Sequence, residues 1–187
     1  MAEYTLTPTT PLAGLDLQQG ETRLREITDL ALLSLAIPQN GEAKAVETLK
    51  SAWNLETPNS GRFTQSGIHK LIRIAPDQLL LATPDTAPDA ARNLAVTARD
   101  ALYSTEQTGA WTVMELTGTG SISTLERLCM LDLAEPAMPV GAANRTLISH
   151  QGVMLLRLEL YTFWLMSASS SAKSLAHSVE TAIGSVA

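Results

Sequence analysis

A chain of 187 residues can bury roughly 70% of its unfolded surface around its own core, so neither a disulfide nor a structural metal is required to hold it. Thirteen basic against nineteen acidic residues give a net charge of -6, and the basic side chains are scattered without an aromatic-basic stripe, which argues against nucleic acid as a partner. Hydrophobic residues make up 45% and charged residues only 17%, so some apolar surface is expected to stay exposed on the isolated chain, as on a permanent subunit.

The opening MAEYTLTPTT has neither a basic n-region nor an apolar h-region. The longest apolar run, Val153 to Met166, is shorter than the ~20 residues of a bilayer span and carries Arg157 and Glu159. A cytoplasmic protein with no membrane contact is expected. The single Cys129 can form no internal bridge, and its place on the apolar face of a short helix reads as a buried thiol.

Residues 1–20, rich in Thr, Pro and Gly, read as an extended arm, and 21–187 as one domain. From Ile27 to Ile37 a Leu/Ala-rich run has helical propensity, yet Pro38 and Asn40-Gly41 stop it. Asn40 is the expected cap of a helix over 42–53, with Ala43, Val46, Leu49 and Trp53 on its packing side and Glu42, Lys44, Glu47 and Lys50 facing water. Residues 54–67, with Pro58, Asn59, Ser60-Gly61 and Ser66-Gly67, read as a loop beyond the ~12 residues at which loops are usually mobile or functional. Residues 69–75 and 78–83 flank Ala75-Pro76-Asp77-Gln78, where Pro suits the second position of a type I turn, so a β-hairpin is predicted. Thr86, Pro88 and Asp89 open a second helix carrying Ala91, Leu94, Ala95, Ala98 and Leu102 at spacings of three and four.

Past Ser104 to Gly109, alternation over Trp111 to Leu116 predicts a half-buried strand, which Thr117-Gly118-Thr119-Gly120 turns into a helix over 122–130. Leu125, Leu128 and Cys129 share a face of that helix, and Met130, Leu131 and Leu133 continue as an apolar tail that needs burial. A loop punctuated by Pro136, Pro139 and Gly141 follows. Residues 146–166 hold too many β-branched and aromatic side chains for a helix, with a turn signal at Gln151-Gly152. Val153 to Met166 lacks turn residues yet exceeds the usual strand length of about 5 to 6, so it is either long and bent or folded back near Leu158 to Tyr161. A last helix over 169–186 turns Leu175, Val179, Ala182, Ile183 and Val186 inward, with Ser169, Ser170 and Ser171 as alternative caps.

Little here points to chemistry. His69, His150 and His177 are far apart, no second ligand sits beside Cys129, and no Gly-x-Ser-x-Gly elbow occurs, so no metal or catalytic residue is predicted. Gly118-Thr119-Gly120 stands between strand and helix, a context that suits a phosphate, but Ser123 replaces the third glycine of the dinucleotide fingerprint and a tight turn is the default. Asp132, between Leu131 and Leu133, is the carboxylate most open to a functional reading. Capping a neighbouring backbone group would satisfy it as well as a substrate would.

The segment Leu128-Cys129-Met130-Leu131-Asp132-Leu133, then Met138-Pro139-Val140-Gly141, then Arg145-Thr146-Leu147-Ile148 and Gly152-Val153-Met154-Leu155-Leu156-Arg157, resembles a known pattern of helix exit, proline-valine-glycine loop and hydrophobic strand pair. That pattern belongs to the gamma subunit of heterotetrameric sarcosine oxidase. Pro11-Leu12-Ala13-Gly14-Leu15 and the 75–81 hairpin extend the likeness upstream. The resemblance places a strand, not a helix, at Ile27 to Ile37, and favours the fold-back near Leu158 to Tyr161. The order of predicted elements is strand, helix, strand, strand, helix, strand, then helix, strand, strand, strand, helix, an α+β fold of antiparallel sheets with helices on one face, in which a ferredoxin-like split βαβ half is followed by an incomplete second half (21–118 and 119–187). The resemblance implies the same class, similar to part of the folate-binding aminomethyltransferase domain. No internal sequence repeat is visible.

The resemblance further implies a non-catalytic subunit of a complex that demethylates sarcosine to glycine with tetrahydrofolate and oxygen, yielding methylene-tetrahydrofolate and hydrogen peroxide. No cofactor is expected in this chain, while FAD, FMN, NAD and zinc are expected in its companions. The implied partners are alpha, beta and delta subunits, with direct contact to alpha through the arm, the 54–67 loop and the interface candidates Leu131, Asp132, Leu133, Pro139, Val140 and Gly141. Two other readings stand beside it: a stand-alone folate-binding aminomethyltransferase-like protein, and the equivalent subunit of a related secondary-amine oxidase. In aminomethyltransferase-like proteins the 118–120 turn commonly reads glycine-proline-aspartate, so the departure here weakens folate chemistry in this chain.

Overall fold

The computed structural model describes residues 9–186. The first part of the chain runs β1 (Asp16–Gln19), β2 (Thr22–Ile27), β3 (Leu30–Ala36), α1 (Glu42–Trp53), β4 (Phe63–Ser66), β5 (His69–Ala75), β6 (Gln78–Pro84), α2 (Ala90–Ala98) and β7 (Tyr103–Glu106). The second part runs β8 (Trp111–Thr117), α3 (Ser121–Glu126), β9 (Ala143–Ile148), β10 (Gln151–Glu159), β11 (Thr162–Ala168) and, after a 3-10 turn, α4 (Ala172–Val186).

The layers follow from side-chain alternation along single strands. In β6, Leu79 and Leu81 pack on the α1 face formed by Ala45, Leu49 and Trp53, whereas Leu80 and Ala82 point the other way. In β11, Phe163 and Leu165 pack on Leu175, Val179 and Ile183 of α4, whereas Trp164 and Met166 point the other way. The inward sets of both sheets meet in one core with Leu30, Leu32, Ile72, Val113, Met154 and Leu156. Helices, sheet, sheet and helices are thus stacked, and the central strands are buried on both faces. Two-sided burial is why 153–166 reads as almost continuous apolar sequence, and it absorbs much of the hydrophobic excess in the composition. Each fully buried Leu, Met or Phe in such a strand contributes about 1.5–3 kcal/mol. Among the described residues no helix is long and apolar enough to cross a membrane.

One sheet has the order β4-β5-β6-β3-β7, with every adjacent pair antiparallel. With β3, β5, β6 and β7 as its four principal strands, this is the split βαβ arrangement, and α+β is the class. Its fourth strand is Tyr103–Glu106, where no strand was expected, and not Trp111–Thr117, which belongs to the other sheet. That second sheet has the order β1-β2-β8-β11-β10-β9. Taking β8, β10 and β11 as first, second and third strands, the order is the same, and β2 from the N-terminal part fills the fourth place. The second half is therefore completed by a strand from the beginning of the chain, and the expected division at residue 118 does not separate the sheets. Residues 30–106 form one sheet, inserted between the strands of the other.

Several local expectations change with it. The arm predicted for 1–20 ends early: β1 pairs with β2 from Asp16↔Arg25 to Gln19↔Thr22, and residues 1–8 lie outside the described residues. The Ile27 to Ile37 segment is extended as the resemblance implied, but Ile27 closes β2 and only Leu30–Ala36 forms β3. Asn40 does not cap α1; its φ of 60° is left-handed, Gly41 occupies the cap position, and the packing face is Ala45, Leu49 and Trp53, leaving Ala43 and Val46 exposed. The 54–67 loop contains β4. Helix α3 stops at Glu126, so Leu128 to Met130 follow it as a turn and irregular chain. The first hairpin turn after it is Ser149-His150, both at positive φ, with Gln151-Gly152 already in β10. The fold-back is present, β10 ending at Glu159 and β11 starting at Thr162.

Candidate functional site

The interface candidates lie on an irregular segment hung from Arg157. Its side chain is 1% exposed and has no carboxylate partner among the described residues. Instead Nη1 donates to the carbonyls of Leu133 at 3.0 Å and Met138 at 2.8 Å, and Nη2 donates to the carbonyl of Leu160 at 2.8 Å. The guanidinium stacks over Phe163, 5.3 Å from the ring centre. The Arg157 backbone holds the end of the same segment: its N–H donates to Ala142 O at 3.0 Å, and Gly141 N–H donates to its carbonyl at 2.9 Å. A cation taken out of water must be compensated, and here carbonyl dipoles of two loops do it. In the sequence Arg157 stands out as a charge unsuited to a membrane and as the last residue of the Gly152 to Arg157 strand motif. Its position in an otherwise apolar strand was the available signal that its donors had to be used locally.

Arg157 brings the predicted residues together on one segment without making all of them available. Asp132 is exposed, and its Oδ1 accepts from the Ala134 N–H at 2.9 Å, closing a local turn. Leu133 is buried with Cys129, Met138 and Ile148, so its side chain lies in the core and not on the surface of the isolated chain. Leu131, Pro139 and Gly141 are half-buried, and Val140 is exposed. The Gly141 carbonyl also accepts from Phe63 N–H at 3.1 Å, and Ala143 N–H donates to Gly61 O at 2.9 Å, so this segment joins the edges of the two sheets. Met130, expected to be buried, is 100% exposed because α3 ends before it. With Val140, Leu160 and Tyr161 it belongs to the large apolar side chains left on the surface.

The two other segments expected to dock, the arm and the 54–67 loop, are pinned to the fold. Glu26, buried in β2, accepts from Thr10 Oγ1 at 2.6 Å, from Gly14 N–H at 2.8 Å and from Leu12 N–H at 3.2 Å, fixing residues 10–14 against the sheet. Arg73 Nε donates to Pro58 O at 2.6 Å and Thr64 Oγ1 donates to Glu56 O at 2.6 Å, anchoring the loop after α1.

The glycine turn before α3 has a steric explanation. A Cβ on Gly118, at φ +102°, would lie 1.7 Å from the Glu21 carbonyl, and one on Gly120 would lie 2.3 Å from Thr22 Oγ1. The β1–β2 turn fills the space a ligand would need. His69 Nδ1 is 2.8 Å from Thr83 Oγ1, and burial lowers its pKa, while His150 and His177 are exposed elsewhere. Burial pushes the Cys129 thiol pKa up. No group of three or more potential metal ligands converges among the described residues.

No protein-family model matches the sequence, and no curated protein matches it. Solved structures do. A chain of the heterotetrameric sarcosine oxidase from Corynebacterium sp. U-96, solved with pyrrole 2-carboxylate, superposes with a TM-score of 0.80 at 20% identity, covering 96% of this chain and 96% of that one. Aminomethyltransferase T of the glycine cleavage system from Bartonella henselae superposes with a TM-score of 0.57 at 16% identity, covering 85% of this chain but only 45% of that one. At these identities the likeness is one of fold, and this chain corresponds to less than half of the second enzyme.

Proposed function

We propose that this chain is the small gamma subunit of a heterotetrameric sarcosine oxidase, a structural component of a complex that oxidatively demethylates sarcosine to glycine. The observation that carries the reading is the end-to-end superposition, 96% of each chain, on a member of such a complex. In this reading the FAD, FMN, NAD and zinc sit in the companion subunits, the methyl carbon passes to tetrahydrofolate and the electrons to oxygen. This chain contributes shape and a docking face to the alpha subunit. The surface that fits the role is the Arg157-held segment, with exposed Met130 and Val140 and the adjoining Leu160-Tyr161 turn.

Co-expression with the alpha, beta and delta chains tests it. Incorporation in a one-to-one ratio with flavin-containing large chains is expected, and Met130→Glu together with Val140→Asp should reduce incorporation while leaving the melting temperature of the isolated chain nearly unchanged, since both side chains face water. A monodisperse monomer that ignores these chains would count against the proposal. The aminomethyltransferase superposition supports a second reading, a stand-alone folate binder. Calorimetry of the isolated chain with tetrahydrofolate separates the two, tight binding favouring the second.

A further inference from the structure

We infer that the seam between the two sheets binds a small organic anion: a carboxylate or phosphate carried on an apolar or aromatic body. Two adjoining hollows, of about 300 Å³ and about 370 Å³, share Arg145 and Met154 in their walls. The first lies where β9 meets the β5–β6 turn and is walled by Ser60, Arg73, Asn144 and Arg145, without an Asp or Glu. The second is walled mainly by apolar groups, with Trp111 and Met154 the largest. One hollow is therefore cationic and the other greasy, with Arg145 common to both. Their size falls within the range of small-molecule sites, roughly 300–1,000 Å³.

The first hollow is distinguished by two arginines in a wall without an acid, in a chain of net charge -6. Arg23 is matched with Asp16, Arg25 with Glu115, Arg92 with Asp89 and Arg157 with backbone carbonyls, while Arg62, Arg99 and Arg127, which have no side-chain partner among the described residues, line neither hollow. Arg73 is oriented by donating through Nε to Pro58 O and through Nη1 to Pro76 O, which leaves Nη2 uncommitted. Arg145 is exposed and paired in register with Met154, and its side chain makes no hydrogen bond or ion pair among the described residues. A held guanidinium and a free one beside the same concavity, with no acid in its wall, create a positive potential that an incoming anion neutralises. The planar fork of arginine suits carboxylate and phosphate oxygens. Trp111 is half-buried at the start of β8, and in the hollow it shares with Arg145 it provides the surface for an apolar body.

The purified full chain is titrated with benzoate, inorganic phosphate and benzamide, read by tryptophan fluorescence and by melting temperature. Trp53 and Trp164 are buried, so Trp111 is the indole placed to respond. Saturable binding is expected with benzoate, weaker binding with phosphate and none with benzamide. Arg145→Glu should weaken benzoate by about tenfold or more while leaving the melting temperature in plain buffer unchanged, and Arg145→Lys should retain part of the binding. Benzamide binding as tightly as benzoate, equal titrations of the parent and Arg145→Glu, phosphate outcompeting benzoate, or no saturation by any anion would each overturn the inference.

Discussion

The guanidinium of Arg157, near the end of β10, donates to the carbonyl of Met138, 2.8 Å away on a segment with no regular secondary structure. The segment from 131 to 141 has few backbone hydrogen bonds of its own, and the buried cation supplies what a helix or sheet ladder would otherwise supply. Its position is thus set from the far side of the loop, by a residue of the strand beneath.

Arg157→Ala leaves the Leu133, Met138 and Leu160 carbonyls without this donor and opens a cavity beside Phe163. The expected loss is about 3–5 kcal/mol in urea denaturation. Amide exchange should quicken across 131–141 more than in β11. Arg157→Lys should recover only part, because a single ammonium cannot reproduce a planar fork serving two loops. A variant as stable as the parent would show that the clamp is dispensable.

Gly118→Ala should be among the most damaging single-methyl changes, since the new Cβ would stand 1.7 Å from the Glu21 backbone. A loss of about 4 kcal/mol or failure to fold is expected. Gly14→Ala is the control: its φ is also positive, at +75°, but nothing lies within 4 Å, so the expected loss is only about 1 kcal/mol of backbone strain. Thermal melts of the two variants distinguish collision from conformational preference.

Stability should carry a signature of His69. Burial holds its pKa below the ordinary 6.5, so at pH values just under 6.5 the unfolded chain binds the proton more readily than the folded one. Unfolding free energy then falls as pH drops through 6.5 and levels off once the folded-state pKa is passed. Replacing His69 by Gln, which can still hydrogen-bond Thr83, should flatten that part of the pH profile relative to the parent. Identical profiles for both proteins, from urea midpoints across the window, would exclude the contribution.

Cys129 should be slow to react while the protein is folded. Desolvation raises its thiol pKa, the nearby Glu126 adds to the effect, and the side chain packs with Leu125 and Leu133. A thiol reagent near pH 8 is expected to label the native chain slowly and the urea-unfolded chain rapidly. Fast native labelling would mean that the turn after α3 opens readily.

Elements with a complete local signature were legible in the residues. Helix α1 has alternating charged and apolar positions, the 75–78 turn carries its proline, β8 alternates, and α4 keeps a 3.6-residue period. Short strands were not. β1, β4 and β7 have four residues each, too few for alternation to stand out, and β2 was obscured because Arg23, Arg25 and Glu26 made an alternating strand look like a charged linker. In the candidate site, Asp132 was open to a local capping role, Arg157 was visible as a charge in an apolar strand, and nothing singled out Glu26. Their partners are carbonyls, N–H groups and the Thr10 hydroxyl of loops twelve to twenty-four residues away, or a carbonyl of a nearby turn, and no side-chain pattern encodes those.

By itself the order of residues determined α1, α4, the hairpin turn at 75–78 and the α+β class, because the pitch of a helix and the pleat of a strand act over a few neighbouring positions. Tertiary structure alone decided that β2 completes the sheet built from residues 111–168, that Met130 faces out while Leu133 faces in, and that Arg73 and Arg145 meet at one seam. Those outcomes depend on which apolar faces cover one another across the whole molecule, as in the pairing of Arg25 with Glu115 ninety positions later, and burial on both faces of a sheet leaves no local periodicity from which to read them.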